Sequence, residues 1–333
     1  MAAIASDVIG SGRRTMCSST CNIRERRLSG LICRAIIRNL RRSKASKDST
    51  LDKLHDKGVA ERKIPMSHAD MNDPERWDRM IANYEEQAHP FTELFSSAAL
   101  ASVPIGPETE VLDIATGIGA AALVAARRGA RVLATDFSPG MVARVAAIGP
   151  ANLRAEVMDG QALAIEDGRF DVTISMFGIM LFPDWRKGLR EMARVTRPGG
   201  IAVLGTWKNE AGAATNLLLT EILCTRFPEL ALPTMPEGMT TLRDPARLRD
   251  EMVAAGFEAP AIAEVTHDFM LRLDILDDAD RILGLMPHWT MLSAEQKMTA
   301  AAEIRRRADE AGTVDVLPIP STALIAIARR RCT

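Results

Sequence analysis

Three aspartates and two glycines, set at regular intervals, are the residues of this 333-residue chain best suited to chemistry. The stretch 111–120 reads VLDIATGIGA, an apolar run carrying Asp113 that ends in Gly117-x-Gly119. A Gly-x-Gly turn lets the backbone bend sharply and come close to a ligand where any side chain would collide. Asp136 follows seventeen residues after Gly119, and Asp159, with Gly160 and Gln161 behind it, comes twenty-three residues later. A carboxylate at the tip of a second strand can accept both hydroxyl hydrogens of a ribose.

Two kinds of adenosine cofactor fit a unit of strand, glycine loop, strand and acid. A dinucleotide places its pyrophosphate at a helix N-terminus, where a further carboxylate is unwelcome. Here Asp113 lies inside the first strand just before the loop, and Ala122 stands where the third glycine of G-x-G-x-x-G would be. A nearby carboxylate suits a ligand with an ammonium and a sulfonium, which favours S-adenosylmethionine over NAD(P). An NAD(P)-dependent oxidoreductase and a catalytically silent S-adenosylmethionine-binding protein stay as alternatives.

Positioning these residues takes an alternation of strands and helices. Strand-like segments at 111–115, 131–136, 153–159, 170–176 and 201–207 are separated by helix-like segments at 119–129, 139–149 and 184–196. Asp73-Pro74-Glu75 reads as a helix start, with helices over 74–87 and 90–102. Short apolar strands between helices imply an α/β fold, a doubly wound and mostly parallel sheet with helices on both faces. Beyond Trp207 the rhythm changes: 209–227, 244–256, 275–287 and 294–311 look helical, while 261–271 and 321–329 look like two late strands.

Charge divides the chain. Residues 1–65 hold 15 Lys/Arg against 6 Asp/Glu, a net of +9, and the remainder carries −10. We therefore expect a basic, disordered leader over 1–65 and one catalytic domain over 66–333. Leu28, Leu31, Ile32, Ala35, Ile36 and Leu40 make a rough apolar stripe within the leader. It reads as an amphipathic membrane-surface helix, an organelle transit peptide, or an extension upstream of a start at Met66 or Met71. Cys17-x3-Cys21 has the spacing of half a zinc site, but no second half is nearby. Five cysteines without close pairs suit a reducing compartment, so the expected location is cytoplasmic, or an organelle if the leader is an address. No uncharged apolar run reaches the ~20 residues of a membrane span.

Residues from about 75 to 330 resemble the class I S-adenosylmethionine-dependent methyltransferases, in the small-molecule branch of the ubiquinone- and menaquinone-biosynthesis methylases. The resemblance rests on Asp113-x3-Gly117-x-Gly119, on Asp136 with Ser138 and Met141, and on Asp159-Gly160-Gln161. FDVTISMFGIMLFPD (170–184) and RVTRPGGIAVLGTW (194–207) complete it. It implies a seven-stranded Rossmann-like sheet with one antiparallel member in the late pair. Ala115, Thr116, Gly117 and Gly119 would line the methionine moiety, and Asp113 would help fix its amino group. Asp136 would hold the ribose, and Phe137 and Met141 would flank the adenine. Asp159 would accept from the adenine amino group beside Gly160 and Gln161, with Met176 and Phe177 near the sulfonium. Trp77 and Tyr84 match a helix folded over the cofactor.

Methyl transfer from a sulfonium is an in-line displacement in which alignment alone can supply roughly 7–11 kcal/mol of the barrier. No dedicated nucleophile is required, although a base would help a phenol or an enolisable carbon. His89 and His288 are the candidates for that role, with His267 behind them. Downstream of the fourth strand the chain reads SMFG rather than the Asn/Asp-Pro-Pro-Tyr loop that grips a base amine, and the body is acidic. Both points disfavour nucleic acid and favour a small, apolar or aromatic acceptor. Apolar residues such as Leu217–Leu219, Ile222, Leu223, Met291 and Leu292 suggest that 209–311 forms a helical lid insertion over it.

Overall fold

The computed structural model describes residues 64–65, 73–284 and 286–332. The leader's amphipathic stripe and its cysteines lie outside the described residues; Ile64–Pro65 pairs in parallel with Pro233–Thr234. Five parallel strands form the sheet's first part: β1 (Glu110–Ile114), β2 (Arg131–Asp136), β3 (Leu153–Val157), β4 (Phe170–Met176) and β5 (Thr196–Trp207). Two long strands complete it, β6 (Ala261–Arg272) and β7 (Val316–Arg329). Their spatial order is β3-β2-β1-β4-β5-β7-β6, and β7 runs antiparallel to both its neighbours. The expected seven-stranded, doubly wound α/β sheet with one antiparallel late strand is what the chain forms.

Order reverses between β1 and β4, because β1 passes its chain to β2 on one side while β4 leads to β5 on the other. Strand ends splay apart at such a switch point, and a crevice opens beyond their carboxyl ends. Around the sheet pack α3 (Ala120–Arg127), α4 (Pro139–Ile148) and α5 (Trp185–Val195). Ser138 caps α4 by accepting from Met141 N–H, and Asp184 caps α5 by accepting from Lys187 N–H. The central strands are buried on both faces, so Val111, Leu112, Ile114, Val172 and Ile174 form a nearly continuous apolar interior.

One helical run precedes the sheet. Asp73 caps α1 (Pro74–Asn83), which passes through a wide π turn at Tyr84–Ala88 into α2 (His89–Leu100). The sequence places a break between two helices here. Instead the turn widens just before Pro90, which has no N–H to give the regular ladder.

Six helices follow β5, and the predicted helix over 275–287 divides. A 3₁₀ segment covers Leu273–Asp278, then α9 (Ala279–Leu283) stops near Gly284, and α10 (Pro287–Thr290) restarts at a proline. The others are α6 (Ala214–Arg226), α7 (Glu237–Leu242), α8 (Pro245–Ala255) and α11 (Ala294–Glu310). Glu303 on α11, 5 % exposed, takes Arg226 of α6 at 2.5 Å and Arg307 at 3.2 Å. Those guanidiniums, with Arg306 foremost, hold its carboxyl far below the usual range. Among the described residues no helix is long and apolar enough to cross a membrane.

Candidate cofactor and acceptor site

The crevice at the switch point is a cavity of about 570 Å³. Its first wall is the glycine loop. Gly117 has φ +55°, a left-handed backbone that side chains resist, and a Cβ there would meet nothing within 4 Å. Conformation, not crowding, demands glycine at that position. Gly119 also turns left-handed, at φ 93°, and starts α3. Of the residues expected to bind the cofactor, Gly119 alone does not line the cavity; it shapes the loop from behind, where Val145 lies 3.2 Å from the place of a Cβ.

Asp113 is 1 % exposed. Its Oδ2 accepts from Thr116 Oγ1 at 2.7 Å and from the Ala122 N–H at 3.0 Å, tying the loop to the first turn of α3. Burial pushes its carboxyl up to about 7, against the pull of those two donors. Asp136 ends β2 and clamps the loop from the other side: Oδ2 accepts from Gly117 N–H at 2.9 Å and Oδ1 from Ser138 N–H at 3.0 Å. Its carboxyl is likewise raised by burial, to about 6. Both groups thus release a proton more readily when a cation arrives beside them.

Asp159 folds over its own turn, its Oδ1 accepting from the Gln161 N–H at 2.8 Å and from Gln161 Nε2 at 3.1 Å. Between them Gly160 is fixed by crowding, since a Cβ would lie 2.5 Å from Phe182 Cζ and 2.9 Å from Ile114 Cγ2. Ala115, Thr116, Phe137, Met141, Met176 and Phe177 all line the same cavity. Ala115 and Phe177 both hold positive φ, 54° and 67°, without being glycine. Such conformations cost on the order of 1–3 kcal/mol and gather where a ligand is clamped. Gly178 leaves room for the first of them, since its absent Cβ would come 2.4 Å from Ala115 Cβ.

Across the cavity lies α1. Trp77 and Tyr84 meet edge to face at 6.1 Å, and Tyr84 is pushed up to about 12 by burial and the Asp136 charge. Asp78, which the sequence did not single out, docks this helix. Its Oδ1 accepts from Ser138 Oγ at 2.5 Å and from the Gly140 N–H at 3.0 Å. A Cβ on Gly140 would sit 2.5 Å from that oxygen, so the glycine is what lets α1 approach.

The far end is aromatic and apolar. Phe177 stacks on Trp207 at 3.8 Å with planes 7° apart, and Phe95 stands edge-on to both. Phe91 and Phe269, edge to face at 5.3 Å, extend this wall. Sequence reasoning singled out Phe177 but missed the roles of Phe91, Phe95, Trp207 and Phe269; the i, i+4 pair Phe91 and Phe95 was the available signal. Residues after β5 reach in as well: Ala213–Asn216 from the start of α6, Met235, Met239, Ile275, Ile282, Met286 and His288. Ala214 there holds φ 53°.

The three histidines part ways. His89 lines the cavity with Nε2 3.3 Å from Glu93, and burial lowers its pKa despite that carboxylate. His288 also lines it, 3 % exposed, and burial lowers it to about 4. His267 does not reach it and rests edge-on against Phe95 at 4.8 Å.

A mostly parallel sheet ordered 3-2-1-4-5-7-6, with a glycine loop after its first strand and acids at or just past the next two strand ends, defines a class I methyltransferase. The comparisons agree and narrow it. Residues 112–204 match the family described as methyltransferase domain. A demethylmenaquinone methyltransferase of Mycobacterium marinum is 33 % identical over 172 residues, 49 % of this chain and 73 % of that protein. The enzyme of the same name from Mycolicibacterium paratuberculosis is 31 % identical over 169 residues, 48 % of this chain and 72 % of that protein. An uncharacterized Mycobacterium tuberculosis protein is 39 % identical over 114 residues, 33 % of this chain but only 42 % of that protein's length. The chain belongs to the class I S-adenosylmethionine-dependent methyltransferases, among those of the quinone-methylase type.

Proposed function

We propose that the chain transfers the methyl group of S-adenosylmethionine to a small, neutral, largely apolar or aromatic acceptor. The observation that carries this reading is a single cavity joining the glycine loop and its acids to the stacked Phe177–Trp207 wall. The residues fit the cofactor, since Gly117 leaves open space at the loop end and the paired carboxyls there suit a ligand bearing cationic groups. When bound, the cofactor supplies an electrophilic methyl on a sulfonium.

The chain's own part is alignment. Asp113 orients the amino group, Asp136 the ribose hydroxyls, and Asp159 with Gly160 and Gln161 the adenine edge, with Phe137 and Met141 on its faces. Met176 and Phe177 mark the reacting end, and α1 with the π turn behind it, carrying Trp77 and Tyr84, excludes water above it. The segment 209–311 serves as the lid over the acceptor. Similarity to demethylmenaquinone methyltransferases supports a quinone-type ring as that acceptor. A partner of this kind needs no nucleic-acid surface, in keeping with the acidic body, and a cytoplasmic location accords with the sparse cysteines.

Thermal-shift titration tests the cofactor. S-adenosylhomocysteine at ~100 times its Kd should add about 2.7 kcal/mol of stability, and NADH should add none. Radiolabel from methyl-tritiated S-adenosylmethionine should then pass to a reduced demethylmenaquinone. Stabilisation by NADH alone overturns the reading, and S-adenosylhomocysteine binding with no transfer to any ring acceptor favours a silent binder.

A further inference from the structure

His288 carries a hydrogen-bonding arrangement that the cofactor chemistry does not use. The imidazole sits at the start of the four-residue α10, in the part of the cavity formed after β5. Its Nε2 lies 3.2 Å from Thr220 Oγ1 on α6. The single hydroxyl hydrogen of Thr220 is already engaged, donated to the Asn216 carbonyl oxygen at 2.8 Å. Toward the ring, therefore, that oxygen can only accept, and Nε2 must carry the proton. The partner of one ring nitrogen thereby sets the state of the other. In a neutral imidazole this leaves Nδ1 as a bare acceptor, and Nδ1 is buried with no hydrogen-bond partner. The ring is neutral near pH 7, because burial disfavours the imidazolium.

One turn before Thr220, Asn216 lines the same cavity, and its Oδ1 is also buried without a partner. Two residues with unmet acceptor atoms thus belong to a wall that, Thr215 apart, is otherwise apolar. Among the described residues after β5 that line the cavity, none is charged. An anionic or cationic acceptor would find no counter-charge there, while a bare buried acceptor atom gains by meeting an O–H or N–H. We propose that His288, held as the Nε2–H tautomer by Thr220, accepts a hydrogen bond from a hydroxyl of the methyl acceptor through Nδ1, and so selects neutral hydroxylated ring compounds over their deoxy or O-alkylated analogues. This rests on the methyltransferase reading for the identity of the molecule, but the selection itself does not require the cofactor.

The test uses the full chain and three matched probes: 1-naphthol, naphthalene and 1-methoxynaphthalene, titrated with and without S-adenosylhomocysteine. Wild-type protein should bind 1-naphthol at least tenfold more tightly than either analogue, and His288→Leu should reduce that preference to within twofold. Thr220→Val, which removes the oxygen holding the tautomer, should lower it several-fold and serves if His288→Leu does not fold. Nitrogen-15 spectra of labelled histidine should assign His288 as the Nε2–H tautomer in wild type. No preference in the wild type, including failure of all three to bind, overturns the proposal. So does a preference that survives both substitutions, or an Nδ1–H tautomer. Failure of S-adenosylhomocysteine to bind, with the naphthol preference intact, instead defeats the methyltransferase reading and leaves the His288 site standing.

Discussion

At the loop end of the cavity Asp113 and Asp136 direct their carboxylates onto the chain's own N–H and O–H groups, whereas at the far end Asn216 and His288 each keep a buried polar atom unmet. The first end is pre-formed: its loop holds its shape before anything binds, and a cofactor meets groups already in place. The second presents a smooth aromatic wall with isolated acceptors, where the ligand must complete the hydrogen bonding. A family can therefore keep one cofactor end and vary its acceptors, because the two ends come from different parts of the chain. The loop end is built by β1–β3 and their turns, the far end by α2, the ends of β4 and β5, and segments after β5.

The largest effect should come from breaking the loop end. Asp136→Ala removes the acceptor of Gly117 and Ser138 N–H groups, each lost buried bond to a charged group being worth about 1.5–3 kcal/mol. By calorimetry, S-adenosylhomocysteine affinity should fall by roughly a hundredfold, about 2.7 kcal/mol. An unchanged affinity would mean the loop holds itself without the clamp.

Gly178→Ala comes next. A methyl placed 2.4 Å from Ala115 Cβ must push the β1 and β4 loops apart. Overpacking of this kind costs about 1–3 kcal/mol, which should lower Tm by roughly 2–10 °C. Cofactor affinity should fall with it, since both displaced loops line the site. A drop in stability with affinity intact would separate the two loops from the cofactor end.

Titration sharpens the contrast, because Asp113 should push binding and folding in opposite directions. Its folded pKa, about 7, lies above the ordinary carboxylate value. Folding therefore favours the protonated form, and Asp113's contribution to stability is present below about pH 4 and lost as pH rises toward 7. An ammonium beside it favours the charged form instead. Affinity for S-adenosylhomocysteine should weaken by up to roughly tenfold between pH 8 and pH 6. In Asp113→Asn that pH dependence should flatten, while the Tm difference from wild type shifts toward the variant as pH rises. The far end, with a neutral His288, should show no matching change in naphthol affinity over that range.

The smallest effect concerns the helix across the cavity. Asp78→Ala removes the bonds that dock α1 on Ser138 and Gly140, worth about 1 kcal/mol net. The dissociation rate of S-adenosylhomocysteine should rise about fivefold in stopped-flow, with little change in Tm. An unaltered rate would show that α1 is held by its apolar packing alone.

How much of this was legible depended on the distance over which each feature is encoded. Asp113, Gly117, Asp136 and Asp159 stood out because a strand followed by a tight turn is a local pattern, and their spacing fixes one layer of a parallel sheet. Gly119 was read as a lining residue because sequence cannot say which side of a turn a glycine serves. Asp78 meets Ser138 across sixty positions, and Thr220 meets His288 across sixty-eight, so neither contact leaves a mark on its neighbours in the chain. The helix predicted over 275–287 divided because Gly284 and Pro287 outweighed the apolar period around them.

By itself, then, the sequence determined the alternation of strands and helices, the glycine turn and the acids at successive strand ends, since each follows from residue types a few positions apart. Only the tertiary structure decided that β7, not β6, is the antiparallel strand and lies next to β5, that Asp78 docks α1 on Ser138 and Gly140, and that one threonine fixes the proton on His288. Those outcomes depend on distant surfaces meeting, and packing, burial and the limited supply of hydrogens among buried polar groups select them once the chain is folded.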